Sequence, residues 1–331
     1  MESDNTPNSI PNFYLATFII TYKCPFSCPM CFFSCGPERN EVMPKEMAFK
    51  TLEEIRNLKI STVCVTGGEP FLQIDLMHDL IIKAVSYGMT VILVTNAFWA
   101  VSKEAALEKL SILKKLGLKW IQFSLDDQHL RFIPISRIAN ALEAAIELGF
   151  EDIKILGSSK GNTGKFKYQL FYLEKILGIC IDNVDIIDRP HVSNQYFEDH
   201  EQAKFSLQEL EKTENSASPA NKPGDCLTEL LIDVNGDVYP CCNNFIGRIG
   251  NVYNNNIKDI IYNLNYNHYF NIIWRSDPCK LARYLDKTLN TDFCDKRYGS
   301  WCELCAQIFQ NDSFRDLLTN THPYGCRKKT N

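Results

Sequence analysis

The sequence predicts an α/β protein: a partial TIM-like barrel of six βα units, (β/α)6, with a small cysteine-rich α+β extension at its C-terminal end. Three observations predict it. Short apolar runs alternate with helical patterns through the first two thirds of the chain. Gly88, Gly117 and Gly149 each sit just past a helical run, where the chain turns through the left-handed conformation. The 14 cysteines gather towards the two ends of the chain, with Cys64 and Cys180 alone in the middle.

In chain order, strands are expected at 14–21, 61–66, 90–95, 120–125, 152–156 and 184–187. Helices are expected between them at 45–58, 76–87, 103–116, 135–148 and 166–177. Strands separated by helices pair in parallel, and right-handed crossovers curl the sheet towards a barrel. Chemistry then collects in the loops that follow the strands. Residues 214–225 are polar with two prolines and read as a linker. Beyond them, 229–234 and 237–239 flank Asn235-Gly236, the signature of a hairpin with a type I′ turn. The expected organisation is a tail (1–13), a barrel (14–212), a linker (213–225) and an extension (226–331).

With 331 residues and 45% hydrophobic composition, the chain can bury a full core. A net charge of −5 gives no pull towards nucleic acid or anionic membrane. The segment 1–12 is polar without a basic region, and the apolar stretch 13–20 is too short to span a bilayer. A reducing, cytoplasmic setting follows as the expectation. There, clustered cysteines serve as metal ligands or catalytic groups more often than as disulfides.

Cys24, Cys28 and Cys31 form C-x3-C-x2-C in the loop after the first strand. Three thiolates this close can hold three irons of a [4Fe–4S] cube and leave the fourth iron open. A zinc site is the alternative, with Cys35 as a fourth ligand. After the second strand comes Thr66-Gly67-Gly68-Glu69-Pro70. The glycines permit close backbone approach to a ligand, and Glu69 offers an acceptor for an ammonium group. Asn96 and Ser124 end the third and fourth strands. Asp126, Asp127 and His129 follow, with His129 either a general acid or base or a capping residue.

The cysteine triad and the Gly-Gly-Glu-Pro motif resemble those of the radical S-adenosylmethionine (radical SAM) superfamily. The resemblance implies a [4Fe–4S] cluster on Cys24, Cys28 and Cys31 with bound S-adenosyl-L-methionine (SAM). It places polar contacts to SAM at Asn96 and Ser124, beside Gly67, Gly68 and Glu69. The implied chemistry is one-electron cleavage of SAM to a 5′-deoxyadenosyl radical, which takes a hydrogen atom from substrate.

Cys226-x9-Gly236-x4-Cys241 resembles the opening of the SPASM/twitch extension of radical SAM peptide maturases, and Cys302-x2-Cys305 adds a pair. Together they imply one auxiliary [4Fe–4S] cluster, with a four-thiolate zinc site as the alternative. Cys241 and Cys242 are adjacent, and on an extended strand they would point to opposite faces. With Cys241 as ligand, Cys242 is a spare thiol near the cavity.

The paired cysteines, Asn96–Trp99 and the single late C-x2-C resemble the peptide-epimerising, epipeptide-type maturases. That resemblance implies a ribosomally made precursor peptide as substrate and Cys242 as the hydrogen donor. It also implies an acidic residue four positions after Cys226, where this chain has Leu230, with Glu229 on the other strand face. Thioether or carbon–carbon cross-linking is the rival reaction. A non-catalytic iron–sulfur or zinc protein is the rival class. The chemistry requires an electron donor such as flavodoxin or ferredoxin. With 23 residues before Cys24, the peptide is expected to be held by the barrel and extension, or presented by a separate leader-binding protein.

Overall fold

Consecutive apolar, β-branched residues such as Thr-Val-Cys-Val-Thr and Thr-Val-Ile-Leu-Val-Thr suit strands buried on both faces. In the computed structural model they are two neighbouring strands of a single sheet. The residues described are 13–29, 31–157, 163–175, 177–179, 184–188, 205–212, 229–242, 246–264, 266–275 and 277–321. The barrel strands are β1 (Leu15–Ile19), β2 (Thr62–Thr66), β3 (Thr90–Thr95), β4 (Trp120–Ser124), β5 (Asp152–Gly157) and β6 (Asp185–Asp188). Between them run α1 (Lys45–Asn57), α2 (Ile74–Ser86), α3 (Lys103–Lys115), α4 (Ile135–Glu147) and α5 (Thr163–Lys175). All six strands are parallel, in the order β6-β5-β4-β3-β2-β1.

The period of two sorts each strand into a helix side and a cavity side. Val63, Val65, Leu93, Ile121, Phe123 and Ile155 are fully buried on the helix side. Their neighbours Cys64, Thr66, Ile92, Val94, Gln122, Ser124 and Leu156 face the barrel interior and line its cavity. Ser102 caps α3 by accepting from the Ala105 amide at 3.2 Å. Gly88, Gly117 and Gly149 have positive φ, as their positions after helices require.

The segment from Glu229 continues the same sheet, while the linker expected at 213–225 lies outside the described residues. β7 (Glu229–Ile232) pairs in parallel with β1, Leu15 opposite Glu229 and Phe18 opposite Ile232. It covers an edge that β1 would otherwise leave unpaired. β8 (Asp237–Tyr239) and β9 (Gly250–Asn251) continue the sheet in antiparallel fashion. The turn between β7 and β8 is not type I′. Only Gly236 has positive φ (76°), because the Asp233 carboxylate accepts from the amides of Asn235 (2.9 Å) and Asp237 (3.0 Å) and holds a bulged three-residue loop.

The remainder is helical: α6 (Leu207–Lys212), then α7 (Ile257–Leu264), α8 (His268–Arg275), α9 (Pro278–Leu289), α10 (Trp301–Gln310) and α11 (Asp312–Thr321). Glu54 of α1 accepts from the Ile257 amide at 2.7 Å, so a barrel helix caps α7. Leu281, Leu285, Tyr298, Ile308 and Phe314 form the fully buried core of the C-terminal helices. Among the described residues no helix is long and apolar enough to cross a membrane.

Candidate active site

The loop after β1 is clasped rather than loose. The Cys24 amide donates to the Gly36 carbonyl (3.1 Å), and the Gly36 amide to the Tyr22 carbonyl (3.2 Å). Within it the Cys31 amide donates to the Cys28 carbonyl at 3.0 Å. Cys24, Cys28 and Cys31 all line one cavity of about 300 Å3 inside the barrel. Burial above all, with smaller contributions from Glu69 and Cys31 at Cys24 and from Cys31 and Cys24 at Cys28, pushes the thiols of Cys24 and Cys28 up to about 12. A hydrogen bond from Cys35 lowers Cys31 to about 6. Ionising all three together requires positive charge in the pocket, which metal supplies. Their sulfurs do not all fall within 4.8 Å of one another. A single tetrahedral zinc, with bonds of ~2.3 Å, would bring its sulfurs closer than that. The donor set fits a cluster better than one ion.

Gly67 and Gly68 serve the cysteine loop directly. The Gly68 amide donates to the Thr21 carbonyl at 2.6 Å, and the Glu69 amide to the Lys23 carbonyl at 2.9 Å. A Cβ on Gly68 would lie 2.2 Å from the Lys23 carbonyl oxygen, and one on Gly67 2.6 Å from that of Thr21. Both glycines also line the cavity. Glu69 is fully buried and outside the cavity lining. Its carboxylate accepts from Thr95 Oγ1 (2.8 Å) and from the amides of Asn96 (2.9 Å) and Phe71 (3.1 Å). It ties the end of β2 to the end of β3. Burial raises its pKa to about 7 against those hydrogen bonds.

Asn96 and Ser124 line the cavity from the ends of β3 and β4. Asn96 Nδ2 points at Cys24 Sγ (3.6 Å), and its Oδ1 accepts from the Phe98 amide (3.0 Å). Behind it Trp99 stacks on Phe71 and donates to Thr95 Oγ1 at 2.9 Å. His129 lines the cavity, held by the buried Asp126.

Residues 18–159 match the radical SAM superfamily. Those residues are a radical SAM domain. The chain is 25% identical over 313 residues to the putative peptide biosynthesis protein YydG of Bacillus subtilis, covering 91% of this chain and 93% of that one. A PqqA peptide cyclase of Granulibacter bethesdensis is 31% identical over 109 residues, covering 33% of this chain and 28% of that protein. Among solved structures, anSMEcpe with bound AdoMet superposes with a TM-score of 0.58 at 16% identity, covering 92% of this chain and 98% of that one. That likeness shows the same fold. Radical SAM membership implies a [4Fe–4S] cluster and SAM, for which the cavity supplies the donors described above.

Across the cavity of this radical SAM domain, three C-terminal residues complete the lining: Glu229, Leu231 and Cys242. The sequence placed Glu229 and Leu230 on opposite faces, and the structure does so: Leu230 is fully buried on the helix side. It is therefore Glu229 whose side chain enters the cavity, where it accepts from Thr17 Oγ1 at 2.5 Å. Which of the two faces inward depends on the β1–β7 register, which sequence alone does not carry. Cys241 and Cys242 are not on opposite faces. β8 ends at Tyr239, the chain bends at 240–242, and the two sulfurs are 4.0 Å apart. Cys302 and Cys305 sit on α10, half-buried and buried respectively. Cys226 lies outside the described residues, as do Met30, Cys180 and Cys326.

Proposed function

We propose that this chain is a radical SAM peptide-modifying enzyme that epimerises an L-residue of a ribosomally made peptide to the D-form, with Cys242 as the hydrogen-atom donor. One observation carries the reading: the Cys242 thiol lines the same cavity as Cys24, Cys28 and Cys31, so one substrate can meet both. The near full-length similarity to a peptide biosynthesis protein supports a peptide substrate.

When bound, the cluster supplies the electron that cleaves SAM to methionine and a 5′-deoxyadenosyl radical. Gly67, Gly68, Asn96 and Ser124 hold SAM against the cysteine loop, while Ile19, Phe26, Phe33 and Val94 keep water from it. Glu229, fixed by Thr17, presents a carboxylate to the peptide. After the Cα hydrogen is lost from one face, Cys242 returns a hydrogen atom from the other. The resulting thiyl needs one electron and one proton to reset. Cys241, 4.0 Å away, would with Cys226, Cys302 and Cys305 hold an auxiliary [4Fe–4S] cluster, a group that would supply one-electron chemistry there. A flavodoxin or ferredoxin is the ultimate source, and a separate leader-binding protein is the peptide's alternative presenter.

The test is anaerobic reconstitution followed by reaction with the peptide encoded beside the gene, in deuterated water. Release of 5′-deoxyadenosine, about eight irons per chain and one solvent deuteron at an inverted Cα are expected. Cys242→Ala should still form 5′-deoxyadenosine and lose the epimer. Product short of two hydrogens would favour thioether or carbon–carbon cross-linking instead. Bound zinc with no SAM cleavage would leave a non-catalytic metal protein.

A further inference from the structure

The β1–β7 ladder ends at Phe18 and Ile232. Past it one chain runs into the cysteine loop, and the other into the turn before β8 and on to Cys242. A buried hydrogen bond ties the two across 211 positions: the Tyr22 hydroxyl donates to Asp233 Oδ2 at 2.8 Å. Both residues are buried, and neither lines the cavity. Each is fastened on its own side. The Tyr22 amide donates to the Glu41 carbonyl (3.1 Å), and its carbonyl accepts the Gly36 amide that clasps the loop. Its ring stacks on Phe33, a cavity-lining residue of the loop, with 6.3 Å between centroids, and the Arg39 guanidinium sits 4.6 Å over it. Asp233 uses its other carboxylate oxygen for the amides of Asn235 and Asp237, which fix the turn. One side chain thus grips the loop of Cys24, Cys28 and Cys31 with one oxygen and the segment that leads to Cys242 with the other.

We propose that Tyr22 and Asp233 are a positioning pair that holds the Cys242 segment in register with the cysteine loop, so that the thiol stays set to meet a substrate radical. The role of Cys242 in this rests on the proposed function; the link between loop and segment does not. Pairing of β7 with β1 fixes Glu229 and Leu231 in the cavity wall, but its ladder stops before either chain reaches a cysteine of the site. Cys242 lies beyond the end of β8, where the chain bends, so its place depends on the turn that Asp233 holds. A hydroxyl–carboxylate hydrogen bond is short and strong, and burial strengthens it. Removing its donor leaves a buried oxygen short of a partner, which favours local opening of the turn. Hydrogen-atom transfer needs close, oriented approach, so a small displacement of the thiol costs rate steeply. Loss of the bond should therefore spare SAM cleavage, whose residues lie on the barrel side, and impair the return of hydrogen by Cys242.

The experiment uses the full chain, reconstituted anaerobically, in wild-type, Tyr22→Phe and Asp233→Asn forms. Phenylalanine keeps the ring and its stacking and removes the hydroxyl. Asparagine keeps an acceptor for the turn amides and can donate its own amide to the Tyr22 oxygen, so it preserves a link. Iron content, basal 5′-deoxyadenosine release and hydrogen–deuterium exchange of segment 234–242 are measured without peptide. The ratio of 5′-deoxyadenosine to epimer is measured with it. Tyr22→Phe is expected to keep wild-type iron and basal release. Its segment 234–242 should exchange about fivefold faster, the scale of one hydrogen bond, and it should release more 5′-deoxyadenosine per epimer formed. Asp233→Asn should stay nearer wild type in both. Unchanged exchange of 234–242 in Tyr22→Phe overturns the proposal. So does an unchanged ratio beside faster exchange, since the link would then not place Cys242. Iron, basal release and epimer yield falling in step would also overturn it, by making the bond a support for the fold alone. A wild-type protein that cleaves SAM but forms no epimer would overturn the proposed function, and the exchange measurement would still decide the link.

Discussion

Asp126 accepts the Nδ1 proton of His129 at 2.8 Å and also takes the backbone amides of Gln128 and His129. Burial pushes the Asp126 carboxyl up, but these hydrogen bonds outweigh it and the net displacement is downward. An ionised Asp126 fixes the ring, leaving Nε2 as its remaining polar edge. Among the described residues lining the cavity, His129 is the only basic one. SAM carries an ammonium group whose proton the Nε2 lone pair of this tautomer can accept. His129→Ala is expected to weaken SAM binding by roughly tenfold or more, the scale of a hydrogen bond to a charged group. His129→Gln should recover part of it. Equilibrium binding to the reconstituted protein checks this, and equal affinities for wild type and His129→Ala would refute it.

Glu69 makes stability depend on pH in an unusual direction. Its folded pKa of about 7 lies above the ordinary 4.5, so the folded state binds more protons between those values. Stability from this group is then greatest below 4.5, falls as pH rises towards 7, and is flat beyond. Glu69→Gln removes that slope. Melting temperatures of the cluster-free, SAM-free chain from pH 5 to 8 should show wild type losing ground to the variant. A constant difference would contradict the assignment.

Gly68→Ala places a methyl against the Lys23 carbonyl, where backbone must move. A cost of roughly 1–3 kcal/mol is expected, read as a lower urea midpoint. The cysteine loop should loosen with it, so the variant should also retain less iron after gel filtration.

Glu229→Gln keeps the size of the side chain and a hydrogen-bond partner for Thr17 while removing the cavity's C-terminal charge. Peptide turnover is expected to fall at least tenfold, about the value of one charged hydrogen bond. Peptide-independent release of 5′-deoxyadenosine should stay within about twofold, because the SAM-side residues are untouched. Equal losses in both assays would place Glu229 with SAM instead.

Much of this architecture was readable because local patterns carried it. The six barrel strands and the helices between them fall within a few residues of the periodicity, and the cysteine and glycine motifs mark the loops that build the cavity. What was not readable depends on distant or competing contacts. Asn235-Gly236 favours a type I′ turn, but the Asp233 side chain offers its amides a better arrangement. Cys241 and Cys242 would alternate on a strand, but the strand stops before Pro240. Glu229 enters the cavity only because β7 lies beside β1, a pairing set by residues far apart in sequence.

That pairing has a consequence for biosynthesis. Leu15 meets Glu229 across 214 positions (229 minus 15). The cysteine loop, the glycine motif and the ends of β3 and β4 leave the ribosome long before β7 does. Until then the barrel lacks one wall and β1 keeps a bare edge. A chain ending before β7 carries the three cysteines of the loop but lacks Glu229, Leu231 and Cys242 from the cavity lining. Closure of the cavity is thus coupled to synthesis of the chain through β7, so a copy that stops short of Glu229 lacks that wall.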